Sequence, residues 1–63
     1  MTMRVLVNRT KVRRVINLRQ GGSVTLAPKG EIGERSRPID EQHFTPEVEA
    51  DRKARHIDIE LAQ

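Results

Sequence analysis

Residues 21–31 read Gly21-Gly22-Ser23-Val24-Thr25-Leu26-Ala27-Pro28-Lys29-Gly30-Glu31. Val24 and Leu26 alternate with Ser23 and Thr25, the two-residue period of a strand with one buried face. Glycines flank the alternation, and Pro28 lacks the N–H that a central ladder position needs. The stretch therefore predicts a turn at the paired glycines, which reach positive φ at low cost, then a short strand and a second turn.

Two more strand signals precede it. Met3-Arg4-Val5-Leu6-Val7 has the β-branched content of a first strand, and Asn8-Arg9-Thr10-Lys11 supplies a polar connection. Asn8-Arg9-Thr10 also matches the N-glycosylation pattern, but without a secretory route it reads as a polar turn. Val12 to Leu18 predicts a second strand, ended by Arg19-Gln20-Gly21-Gly22-Ser23.

After Glu31 the apolar signal fades. Ile32 is alone among polar neighbours as far as Arg37, so residues 31–42 read as an irregular arm or loop. Thr45-Pro46-Glu47 then opens a helix expected to run from Pro46 to about Arg55. Threonine suits the cap, proline the first helical position, and glutamate the positive end of the dipole. Arg52, Lys53 and Arg55 complement its other end. Only Val48, Ala50 and Ala54 are small or apolar along it, which places the helix at the edge of the fold. Ile57-Asp58-Ile59-Glu60-Leu61 alternates throughout and predicts a terminal strand. Its acidic face suits an arginine-bearing neighbour, so the two ends of the chain are expected side by side. The predicted fold is mainly β. It is a small β-sandwich or barrel-like module of about four strands, with one short α-helix before the last strand, in a single domain spanning residues 1–63.

At 63 residues the chain is near the lower size limit for independent folding, where a single core rarely supplies more than roughly 3–5 kcal/mol. It has no cysteine, which removes disulfides and most metal staples and leaves a partner as the natural support. No apolar run suits a membrane span or a signal peptide, so a soluble, non-secreted protein is expected. Charge is divided along the chain. Residues 1–30 carry Arg4, Arg9, Lys11, Arg13, Arg14, Arg19 and Lys29 with no acid, a charge of +7; residues 31–63 carry −4. Such a division suits either nucleic-acid contact or head-to-tail docking between proteins.

The residues of catalysis are sparse. His43 and His56 flank the predicted helix without metal-ligand spacing, and no nucleophile elbow is present. Ser23 and Ser36 read as turn residues, and the carboxylates of the second half as a solvated face. The glycine-rich stretch lacks the Gly-Lys-Ser/Thr ending of a phosphate loop. No catalytic residue, metal or cofactor is predicted. Nucleic-acid binding rests on the basic half alone, because Phe44 is the sole aromatic residue and base stacking has no platform.

The order of four segments, Val5-Leu6-Val7-Asn8-Arg9-Thr10, Val24-Thr25-Leu26-Ala27-Pro28-Lys29-Gly30, Thr45-Pro46-Glu47-Val48 and Ile57-Asp58-Ile59-Glu60, resembles small structural proteins of tailed bacteriophages. The polar stretch Gly33 to Gln42 is longer than that pattern. The resemblance implies a compact β module with a short helix before its last strand. It also implies a non-enzymatic role as a head decoration, cement, connector or tail-associated protein, bound in many copies to a major virion protein. Its place would be the virion, and the host cytoplasm during assembly. The residues expected to make that contact are Arg4, Arg13, Arg14, Arg19, Arg35 and Arg37. The alternatives are a small basic nucleic-acid-binding or regulatory module and an adaptor for a single protein partner.

Overall fold

β1 (Met3–Asn8) is the central strand in the computed structural model of the protein, which describes residues 2–62. On one side it pairs antiparallel with β5 (Ile57–Leu61), in the register Arg4↔Leu61, Leu6↔Ile59 and Asn8↔Ile57. The two ends of the chain are thus neighbours, as their charges predict. On the other side lies β4 (Ile39–Asp40), with Arg4 opposite Ile39. Arg35 forms a further antiparallel bridge to Val7.

β2 (Arg14–Asn17) and β3 (Ser23–Leu26) form a separate hairpin, Ile16 facing Val24 and Val15 facing Thr25. Val24 and Leu26 are buried while Ser23 and Thr25 are exposed, the alternation read in the opening stretch. The connection differs in detail from the paired-glycine turn. Gln20 and Gly21 hold positive φ, at 64° and 76°, whereas Gly22 is extended at −77°. The second turn closes with Glu31 N–H donating to the Pro28 carbonyl at 3.0 Å, and Gly30, at φ +90°, takes the position where positive φ is required.

Among the described residues the fold is mainly β, with five strands in two sheets and one α-helix before the last strand. The strand beyond the expected four is the two-residue β4, which lies in the stretch read as irregular. α1 (Pro46–Lys53) stops short of Arg55, which has a left-handed φ of 63°. Thr45 occupies the cap position but does not cap with its side chain. Its hydroxyl donates to the Asn17 carbonyl at 3.2 Å, tying the helix start to β2 instead.

Leu6, Ile39 and Ile57 from the three-stranded sheet meet Ile16, Leu18, Val24 and Leu26 from the hairpin and Val48 from the helix in one core. Phe44 and Ile59 pack against it part-exposed. β5 carries the inward alternation only part of the way: Ile57 is buried, Ile59 intermediate, and Leu61 is 56 % exposed.

Asn8 is buried rather than part of a solvated turn. Its amide nitrogen donates to the carbonyls of Val12 at 2.7 Å and Ala27 at 2.9 Å. Its oxygen accepts from the Thr10 N–H at 2.8 Å and the Thr10 hydroxyl at 2.7 Å. All four hydrogen-bonding positions of the amide are filled, so one side chain fixes the loop after β1 against the end of β3.

Candidate partner-binding surfaces

The six arginines expected to make contact fall into two groups. Arg4 pairs with Glu41 at 3.2 Å, and Arg35 pairs with Glu60 across the outer face of the sheet. Arg14 lies 4.0 Å from Asp51 and donates to the Thr10 hydroxyl at 3.3 Å. Arg19 donates to the Phe44 carbonyl at 3.0 Å. These four guanidiniums brace the fold. Arg13 and Arg37 are exposed, and their guanidiniums make no hydrogen bond or ion pair among the described residues; the Arg37 carbonyl accepts from the Ser36 hydroxyl at 2.8 Å.

Lys11, Arg13 and Lys29 are the remaining free charge of the basic half. Lys29 N–H donates to the Thr10 carbonyl at 2.8 Å, which draws the loop after β1 and the turn after β3 into one exposed corner. None of the three forms an ion pair among the described residues.

A second surface, which sequence reasoning missed, runs along β5. The bonds Arg9 N–H to His56 carbonyl and Ala62 N–H to Met3 carbonyl frame the β1–β5 ladder. In that register Val5 with Glu60 and Val7 with Asp58 exchange the hydrogen bonds, so the N–H and C=O of Ile59 and Leu61 point away from β1. No strand among the described residues pairs with β5 on that side.

Two concavities adjoin this edge and share Ile59 and Arg52. The larger, about 820 Å³, has Phe44 and Ile59 as its apolar lining, with Arg4, Glu41, Glu49 and Arg52 around them. The smaller, about 580 Å³, is lined by Arg9, Arg52, Arg55, Asp58 and Ile59. Arg9 pairs with Asp58 and Arg52 with Glu49, while Arg55 has no acidic partner among the described residues. Three guanidiniums against one carboxylate leave the smaller concavity net positive. The signal available in the sequence was the alternation of Ile57–Leu61, which marks a strand but not which of its edges is paired. The concavities themselves come from residues far apart along the chain.

His43 precedes the helix and His56 follows it, the positions their spacing predicts. The buried Nδ1 of His56 has no hydrogen-bond partner among the described residues and lies 3.7 Å from Asp51 Oδ1. No group of three or more His, Cys, Asp or Glu among the described residues is arranged to hold a metal ion, and no described helix is long and apolar enough to cross a membrane.

Comparison with protein-family models, curated proteins and solved structures finds no match to this chain.

Proposed function

We propose that this protein is a non-enzymatic structural component of a tailed-phage particle, bound in many copies to a major shell or tube protein. The observation that carries this reading is the uncovered edge of β5, with main-chain groups of two consecutive outward positions and a partly apolar trough beside them. An edge of this kind is a template for another protein chain. A core of eight buried apolar side chains among the described residues gives a reason for such attachment, because binding to the folded state adds stability by mass action. Many identical sites on one lattice would add avidity. The resemblance of four segments to small phage structural proteins favours the same reading.

The test is to purify tailed-phage particles assembled in cells that express a tagged copy of the chain, and to measure its stoichiometry by mass spectrometry. The reading expects a fixed ratio of many copies to one major protein. Absence of the chain from purified particles overturns it.

The corner formed by Lys11, Arg13 and Lys29 favours a second reading, a sequence-independent contact with nucleic-acid phosphates. That reading predicts affinity for duplex DNA or RNA that falls steeply with added salt. Binding insensitive to salt, or no binding at low ionic strength, excludes it.

A further inference from the structure

We propose that β5 accepts an added strand from a partner protein, and that this strand carries an acidic residue and an apolar residue on one face, two positions apart. This rests on the protein-binding reading above and deepens it by naming the chemistry of the partner segment.

Ile59 and Leu61 each present a main-chain donor and acceptor along the open side of β5. A segment lying there gains ladder hydrogen bonds whatever its sequence, and the flanking concavities then select its side chains. Both are lined by Ile59; the smaller also reaches Arg55, two residues before the start of β5, and the larger reaches Arg4, which stands opposite Leu61 at its end. Alternate side chains of an extended segment are separated by roughly 7 Å, so residues two positions apart enter both. Arg55, which has no acidic partner among the described residues, selects a carboxylate in the first. Phe44 and Ile59 select an apolar group in the second.

A second copy of β5 does not meet this pattern. Asp58 and Glu60 lie on one face of that strand and Ile57, Ile59 and Leu61 on the other, so acidic and apolar groups never share a face. Antiparallel self-pairing centred on Ile59 also sets Asp58 directly opposite Glu60 twice, a like-charge arrangement. The strand is therefore supplied by a different protein.

The full chain is titrated with a synthetic peptide in which glutamate and valine alternate with threonine between them, and with a control that has lysine for each glutamate. Amide hydrogen exchange is followed by NMR. The glutamate peptide is expected to slow exchange at Ile59 and Leu61 and to bind at least about tenfold tighter than the lysine peptide. Arg55→Glu, at an exposed position, is expected to remove that preference or reverse it. Leu61→Pro removes one outward N–H and weakens the glutamate peptide by about tenfold, with the exchange pattern of β1 confirming that the fold persists. The proposal is overturned by failure of the glutamate peptide to bind, by equal binding of the lysine peptide, or by protection that bypasses Ile59 and Leu61. It is equally overturned by a dimer of the chain occupying this edge, or by duplex DNA displacing the peptide. A chain that binds the peptide but is absent from phage particles retains this inference and loses the phage reading. A chain present in particles that fails the peptide test does the reverse.

Discussion

Asn8 shows how much of this small fold depends on single polar side chains. Its amide closes four hydrogen bonds in a buried setting, two of them to the carbonyls of Val12 and Ala27. Asn8→Ala leaves buried groups without partners, at roughly 1–3 kcal/mol for each. Chemical denaturation is expected to show a loss of at least about 2 kcal/mol, a large part of the stability available to a domain of this size. A change below about 0.5 kcal/mol would mean that water replaces the amide. Ser36 acts similarly on the other side of β1. Its hydroxyl oxygen accepts the Leu6 N–H at 2.9 Å, and its own N–H donates to the Leu6 carbonyl at 2.8 Å. Ser36→Ala is expected to cost about 1–2 kcal/mol in the same measurement. Arg55 works against stability, because its φ of 63° favours glycine. Arg55→Gly is expected to raise the unfolding free energy by about 0.5–1 kcal/mol, and a lowered denaturation midpoint would contradict that account of the helix end. None of these three roles is visible in the sequence. A buried asparagine and a loop asparagine share the same letters around them, and the Ala27 carbonyl that Asn8 reaches and the Leu6 backbone that Ser36 holds lie far along the chain.

Strands and helix were easier to read. The hydropathy alternation in Ser23–Leu26 and Ile57–Leu61 follows from one buried face, and proline at the first helical turn positioned α1. Residues 34–40 were opaque for a physical reason: they attach to β1 mainly through backbone and hydroxyl groups, which leave no periodic apolar trace. Asn8 N–H donates to the Glu34 carbonyl at 2.9 Å, and only Ile39 of this stretch enters the core. Thr45 misled for a related reason, since a hydroxyl at the helix start can serve the helix or a neighbouring strand. Because its bond goes to the exposed Asn17 carbonyl, Thr45→Ala is expected to cost under about 1 kcal/mol in thermal or chemical unfolding. A larger loss would restore the capping role.

At the scale of the molecule, the divided charge is partly consumed inside the fold. Arg4 within β1, Arg9 just after it and Arg35 from the later arm pair with Glu41, Asp58 and Glu60, and all six side chains are substantially exposed. Pairs of this kind each contribute little in water, so their removal is expected to change stability less than removal of Asn8. What remains is spatially sorted: Lys11, Arg13 and Lys29 at one corner, and the arginine-lined trough beside the open edge of β5. The sequence announced the charge division but not this sorting, which arises only when distant segments meet. The central claim is that a larger protein completes this edge. It is tested most directly by cryo-electron microscopy of phage particles containing the chain, at a resolution that traces strands. The account predicts a partner strand continuing the sheet beyond Ile59 and Leu61, repeated at each copy; a chain seated by its Lys11–Arg13–Lys29 corner on nucleic acid, with β5 facing solvent, would contradict it.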